Sequence, residues 1–86
     1  MPRILIVEDD EKLRKELEIF LNNNGYQVET IERFENTLND ILKINPELLL
    51  LDINLPGADG EFICKELRKK SNMPIIIITS RDSEID

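Results

Sequence analysis

Two kinds of hydrophobic pattern alternate along this chain. Arg3-Ile4-Leu5-Ile6-Val7 is a short continuous apolar run that ends in Glu8-Asp9-Asp10. From Glu11 to Asn24, Leu13, Leu17, Phe20 and Leu21 recur at the spacing of an amphipathic helix. Asp9 or Asp10 can cap its start, and Gly25 can take the left-handed conformation that ends it. Tyr26 to Ile31 predicts a second strand with Val28 and Thr30 among its members. Phe34, Leu38, Ile41 and Leu42 mark the next helix face, stopped at Asn45-Pro46. Leu48 to Leu51 forms a third continuous run that closes on Asp52. Asp59 caps a third helix carrying Phe62, Ile63 and Leu67, with Arg68-Lys69-Lys70 at the end where positive charge suits the helix dipole. Pro74 opens a fourth strand, Ile75 to Thr79. The stretch from Ser80 to Asp86 is polar and predicts no element.

This β-α-β-α-β-α-β alternation with short connections predicts an α/β fold, a parallel sheet with helices on both faces. The third and fourth strands are apolar on both faces and the first nearly so, which suits central positions. The polar second strand suits an edge. A run of four isoleucines at an open edge would be a template for aggregation. The expectation is a fifth strand beside it that this chain lacks, so the chain reads as a truncated domain.

Composition narrows the function classes. At 86 residues, 41% hydrophobic and 34% charged, the chain is one small globular domain. A net charge of −7 argues against a grip on nucleic acid or an anionic membrane and favours a partner with a basic patch. One cysteine, Cys64, excludes an internal disulfide, and with no histidine a zinc site is not expected. Cys64 falls in a helical pattern and reads as a small, half-buried apolar residue. No stretch reaches membrane-spanning length, and Met1-Pro2-Arg3 leads straight into a strand, so a cytoplasmic protein is expected.

Candidate chemistry centres on Asp52. A carboxylate at the end of a buried leucine strand is costly unless something stabilises its charge. The carboxyl ends of the strands are also where open α/β sheets bind ligands. With the first and third strands as neighbours, Glu8 and Asp9 come to the same edge as Asp52. A divalent cation relieves the repulsion of three such carboxylates, and Mg²⁺ favours a few carboxylates, backbone oxygens and retained waters. Asp9 and Asp52 are the candidate side-chain ligands, with the backbone carbonyl of Asn54 a third and Glu8 acting through water. Acidic residues at strand–helix junctions are more often caps than ligands, and Asp10 is read as a cap. Thr79 is an ordinary strand residue by itself, although its hydroxyl could donate to an oxygen placed beside Asp52. Asn54-Leu55-Pro56-Gly57 is a tight turn with φ restricted at Pro56 and free at Gly57.

The segments Arg3 to Asp10, Leu50 to Gly60 and Pro74 to Ser80 together resemble the signatures of bacterial response-regulator receiver domains, most closely the OmpR/PhoB-like subgroup. The resemblance spans residues 1–86 in order and spacing. It implies a flavodoxin-like, doubly wound sheet of strand order 2-1-3-4, with the fifth strand missing. It further implies that Asp52 is the phosphoacceptor, that Glu8 and Asp9 hold Mg²⁺ with Asn54 as backbone ligand, and that Thr79 is the switch hydroxyl. The implied partners are a sensor histidine kinase that donates the phosphoryl group and DNA bound through an effector domain outside this chain. Ser80 stands where the family usually has a smaller residue such as alanine. The family's phosphoryl-contacting lysine and aromatic switch residue would lie beyond Asp86. Such a domain is a switch rather than an enzyme. One rival is a haloacid-dehalogenase-like phosphohydrolase, which wants a second acid where Asn54 stands. Another is a phosphorylation-independent dimer module, pairing through the open fourth-strand edge or by domain swapping.

Overall fold

The computed structural model describes residues 2–78, so Thr79 and Ser80 lie outside the described residues. Seven elements follow the chain: β1 (Arg3–Val7), α1 (Glu11–Asn23), β2 (Gln27–Ile31), α2 (Thr37–Ile44), β3 (Leu48–Asp52), α3 (Gly60–Lys70) and β4 (Ile75–Ile78). The four strands are parallel and lie in the order β2-β1-β3-β4. The chain moves from β1 to one neighbour, β2, and then crosses to the other, β3. The crevice between β1 and β3 is therefore the point where strand order reverses, the place where open sheets of this kind bind ligands.

Strand alternation sorts the apolar runs onto two faces. Leu5, Val7, Leu49 and Leu51 pack on one face with Ile41 of α2 and Ile63 and Leu67 of α3. Ile4, Ile6 and Leu50 pack on the other against Leu17 and Leu21 of α1, joined by Val28, Leu48 and Ile78. A sheet covered on both sides needs strands that are apolar at consecutive positions, as Leu48 to Leu51 are. Leu5, Ile6, Leu49, Leu51 and Leu67 are fully buried, each contributing about 1.5–3 kcal/mol of transfer free energy. Cys64 is half-buried against the α2/α3 side, the place its spacing suggested.

The helix ends follow local chemistry. Asp10, not Asp9, caps α1, its side chain accepting from the Leu13 N–H at 3.1 Å. Asp59 caps α3 by accepting from Glu61 and Phe62. Gly25 has φ of 89° just past α1, and Asn45 closes α2 in the left-handed region at φ 51°.

Three aromatic expectations need correction. Phe20 and Phe62, both read as core-facing, are 63% and 55% exposed. In α1 the face turned inward carries Arg14, Leu17 and Leu21, and Phe20 lies roughly a quarter turn from its centre at 100° per residue. Ile63 and Leu67 define the inward line of α3, and Phe62, one residue earlier, points well away from it. Phe34 precedes α2, which begins only at Thr37, because the Asn36 backbone is not yet helical. It packs from the loop, partly buried. At the far side of the sheet, Ile76 and Ile77 of β4 are 50% and 44% exposed.

Candidate functional site

Register alone brings the acidic residues together. Val7 pairs with Leu51, so the next residues, Glu8 and Asp52, lie side by side at the carboxyl ends of β1 and β3. Each is two positions past a residue of the α1 face, Ile6 and Leu50, so strand alternation aims both carboxylates at that face. Asp9 follows in the β1–α1 loop. One carboxylate oxygen from each of Glu8, Asp9 and Asp52 lies within 4.8 Å of the others, with Glu8 and Asp52 buried and Asp9 exposed.

Backbone hydrogen bonds fix these carboxylates and leave half their capacity free. Glu8 Oε2 accepts from the Asp10 N–H at 2.9 Å, and Asp52 Oδ1 accepts from the Asn54 N–H at 3.0 Å. The remaining oxygens, Glu8 Oε1 and Asp52 Oδ2, are buried with no partner. A buried acceptor without a donor costs about 1–3 kcal/mol, and here two stand in one pocket. Burial pushes the Glu8 carboxyl up from its ordinary 4.5 to about 7; the Asp10 N–H opposes the shift, while the neighbouring Asp52 and Asp9 carboxylates add to it. A hard divalent cation with oxygen ligands suits this donor set, since it would satisfy the bare oxygens and offset the repulsion. The residues present therefore fit Mg²⁺.

Asn54 is drawn to the pocket through its N–H, an interaction the spacing did not reveal. Thr79 lies outside the described residues, although its predecessor Ile78 pairs directly with Asp52. A cavity of about 350 Å³ opens elsewhere, between the start of α2 and the loop after β3. Thr37 and Phe62 line it, and none of the three carboxylates does.

Sequence reasoning missed two supporting residues. Gly60 begins α3 hard against the end of β3, where an added Cβ would come within 2.5 Å of Ile53 Cα and 2.8 Å of the Asp52 carbonyl oxygen. The Asp59-Gly60 pair at a helix start was the available sign. Arg14 is only 7% exposed, and its guanidinium donates to the Glu8 carbonyl oxygen at 3.0 Å. Its sign was a charged residue at the spacing of the buried stripe, three before Leu17 and seven before Leu21.

Residues 4–86 match the family described as Response regulator receiver domain. The transcriptional regulatory proteins AfsQ1 of Streptomyces coelicolor and YxdJ of Bacillus subtilis are 38% and 42% identical over 86 residues. Each alignment takes in 100% of this chain and 38% of the relative, so the chain spans well under half of these proteins. Among solved structures, the response regulator TrrA of Thermotoga maritima in complex with Mg²⁺-BeF superposes with a TM-score of 0.83 and 36% identity over 94% of this chain and 71% of that one. TrrA bound to the histidine kinase ThkA gives 0.81 and 36% over 96% and 72%. With its sheet order, its acidic edge and these matches, the chain belongs to the response regulator receiver domain family, alongside transcriptional regulators of the OmpR/PhoB type.

Proposed function

We propose that this chain is the phosphoacceptor part of a two-component response regulator, taking a phosphoryl group from a sensor histidine kinase onto Asp52. The observation that carries this reading is the pair of bare, buried oxygens on Glu8 and Asp52 beside Asp9. Asp9 and Asp52 would hold Mg²⁺ directly, the carbonyl of Asn54 would add a backbone ligand, and Glu8 would act through water. Bound there, Mg²⁺ offsets the pocket's negative charge and the charge that spreads over the phosphoryl oxygens during transfer. The P–N bond of a phosphohistidine breaks, a P–O bond to the Asp52 carboxylate forms, and the imidazole leaves. The Asn54 N–H, already donating to Oδ1, keeps that carboxylate oriented while Oδ2 remains available. Phosphorylation adds charge and acceptor oxygens at the strand end, and the Thr79 hydroxyl would turn toward them, favouring one of two packings of the following loop.

The rest of the reading concerns the whole protein. Residues 1–86 are the N-terminal portion of a receiver domain in a longer cytoplasmic regulator. A DNA-binding effector domain carries the transcriptional output, in keeping with the names of AfsQ1 and YxdJ. The module signals by being modified rather than by turning over a substrate. A second copy of the chain is a further partner, favoured by the exposed Ile76 and Ile77 on β4, which has a strand neighbour on one side only among the described residues.

The test is acid-labile labelling of the full-length protein by a small phosphodonor with Mg²⁺. Label is expected on wild type and absent from Asp52→Ala. Label retained on Asp52→Ala would sink the assignment.

A further inference from the structure

We propose that Arg14 is a positioning residue for the acidic pocket, holding the Glu8–Asp9 peptide in the orientation that lets the pocket take a divalent cation. The inference rests on the Mg²⁺ reading above and adds a residue to it. Arg14 holds the β1–α1 loop at two points. Its backbone N–H donates to the Asp10 carbonyl at 2.9 Å, and its guanidinium donates to the Glu8 carbonyl at 3.0 Å. The first is the opening backbone bond of α1, which any residue at this position makes; the second comes from the arginine side chain alone and holds the carbonyl that immediately precedes Asp9. A second arm of the guanidinium reaches Glu32 at 3.9 Å, a long contact to a side chain that is 71% exposed. Burying a cation costs free energy unless it is well bonded, and the bond that Arg14 makes in the interior is to Glu8. Replacing a group that orients a metal ligand costs roughly 10- to 100-fold in metal affinity.

Charge and position predict opposite outcomes. If Arg14 acted only as a positive charge near three carboxylates, removing it would strengthen Mg²⁺ binding. If it positions the loop, removing it weakens binding by roughly tenfold. The measurement is a Mg²⁺ titration of the whole chain, followed by ¹H–¹⁵N shifts of the Glu8, Asp9 and Asp10 amides, with circular dichroism as the check on folding. Arg14→Met is expected to bind roughly tenfold more weakly than wild type. Arg14→Lys, which keeps the charge and a single donor, should fall between the two. Glu32→Gln should change affinity by less than about twofold, as its exposed contact is weak. Equal or tighter binding by Arg14→Met overturns the proposal. Should Arg14→Met not fold, Arg14→Lys decides: weaker binding supports the role and equal binding overturns it. A wild-type chain with no saturable Mg²⁺ site removes the metal reading and this inference together. Saturable wild type with unaltered Arg14 variants removes this inference alone.

Discussion

Metal-free, this domain should lose stability as the pH rises from 5.5 to 7.5. The cause is Glu8, whose carboxyl titrates near 7 in the folded chain rather than at 4.5 because it is buried beside Asp52 and Asp9. A raised folded-state value means that the native state holds the proton more tightly than the unfolded one. The contribution is complete below about 4.5 and is lost as the pH climbs through about 7. Each unit of displacement corresponds to about 1.4 kcal/mol. Relaxation around the charged carboxylate, beside the exposed Asp9, offsets part of it, leaving roughly 1–2 kcal/mol over the window. For a domain this small that is a fall in Tm of roughly 5–15 °C. The chain has no histidine, so no other side chain with an ordinary value titrates in that interval. Urea or thermal unfolding by circular dichroism, in EDTA at several pH values, reads the slope. Glu8→Gln should flatten it, and saturating Mg²⁺ should reverse it, because the cation favours the ionised carboxylate. A flat profile in wild type, or an unchanged slope in Glu8→Gln, would refute the reasoning.

Other substitutions probe the scaffold. Gly60→Ala places a Cβ against backbone atoms that cannot swing aside; it should cost about 1–3 kcal/mol and weaken Mg²⁺ binding, as measured by urea unfolding and titration. Asp59→Ala removes the side chain that accepts from two N–H groups of α3 and should cost about 1 kcal/mol, with the acidic pocket unaffected in a Mg²⁺ titration. Ile77→Lys charges the exposed strand edge and should lower any self-association seen by sedimentation, whereas association unchanged by the lysine would rule out that edge as the contact.

The fold was legible because its signals were long and repeated. Four leucines and four isoleucines in unbroken runs leave little choice other than buried parallel strands, and Asn45-Pro46 and Gly25 mark where helices must end. Glu8, Asp9 and Asp52 were legible because strand pairing follows from those runs. What escaped notice depends on direction rather than spacing. Phe20 and Phe62 match a helical period but fall outside the buried faces, which are set by what each helix packs against. Arg14 reads as an ordinary surface charge until the position of α1 over the sheet puts it underneath. Gly60 matters because α3 starts so close to Ile53, a distance no local pattern encodes.

The pairing of Glu8 with Asp52 across adjacent strands makes the site a matter of parity. All four leucines of β3 are chemically the same, so their identities carry no information about the pocket, yet their number does. Deleting any one of Leu48 to Leu51 moves Asp52 to the other side of the sheet if the strand keeps its pairing. The carboxylate would then point into the Leu49/Leu51 layer beneath α2 and α3, a full residue out of phase with Glu8. A deletion that leaves hydrophobicity and strand propensity nearly untouched would abolish the pocket, while exchanging one leucine for isoleucine or valine would spare it. In this chain the count of residues in a run, even or odd, carries as much functional meaning as the acid at its end.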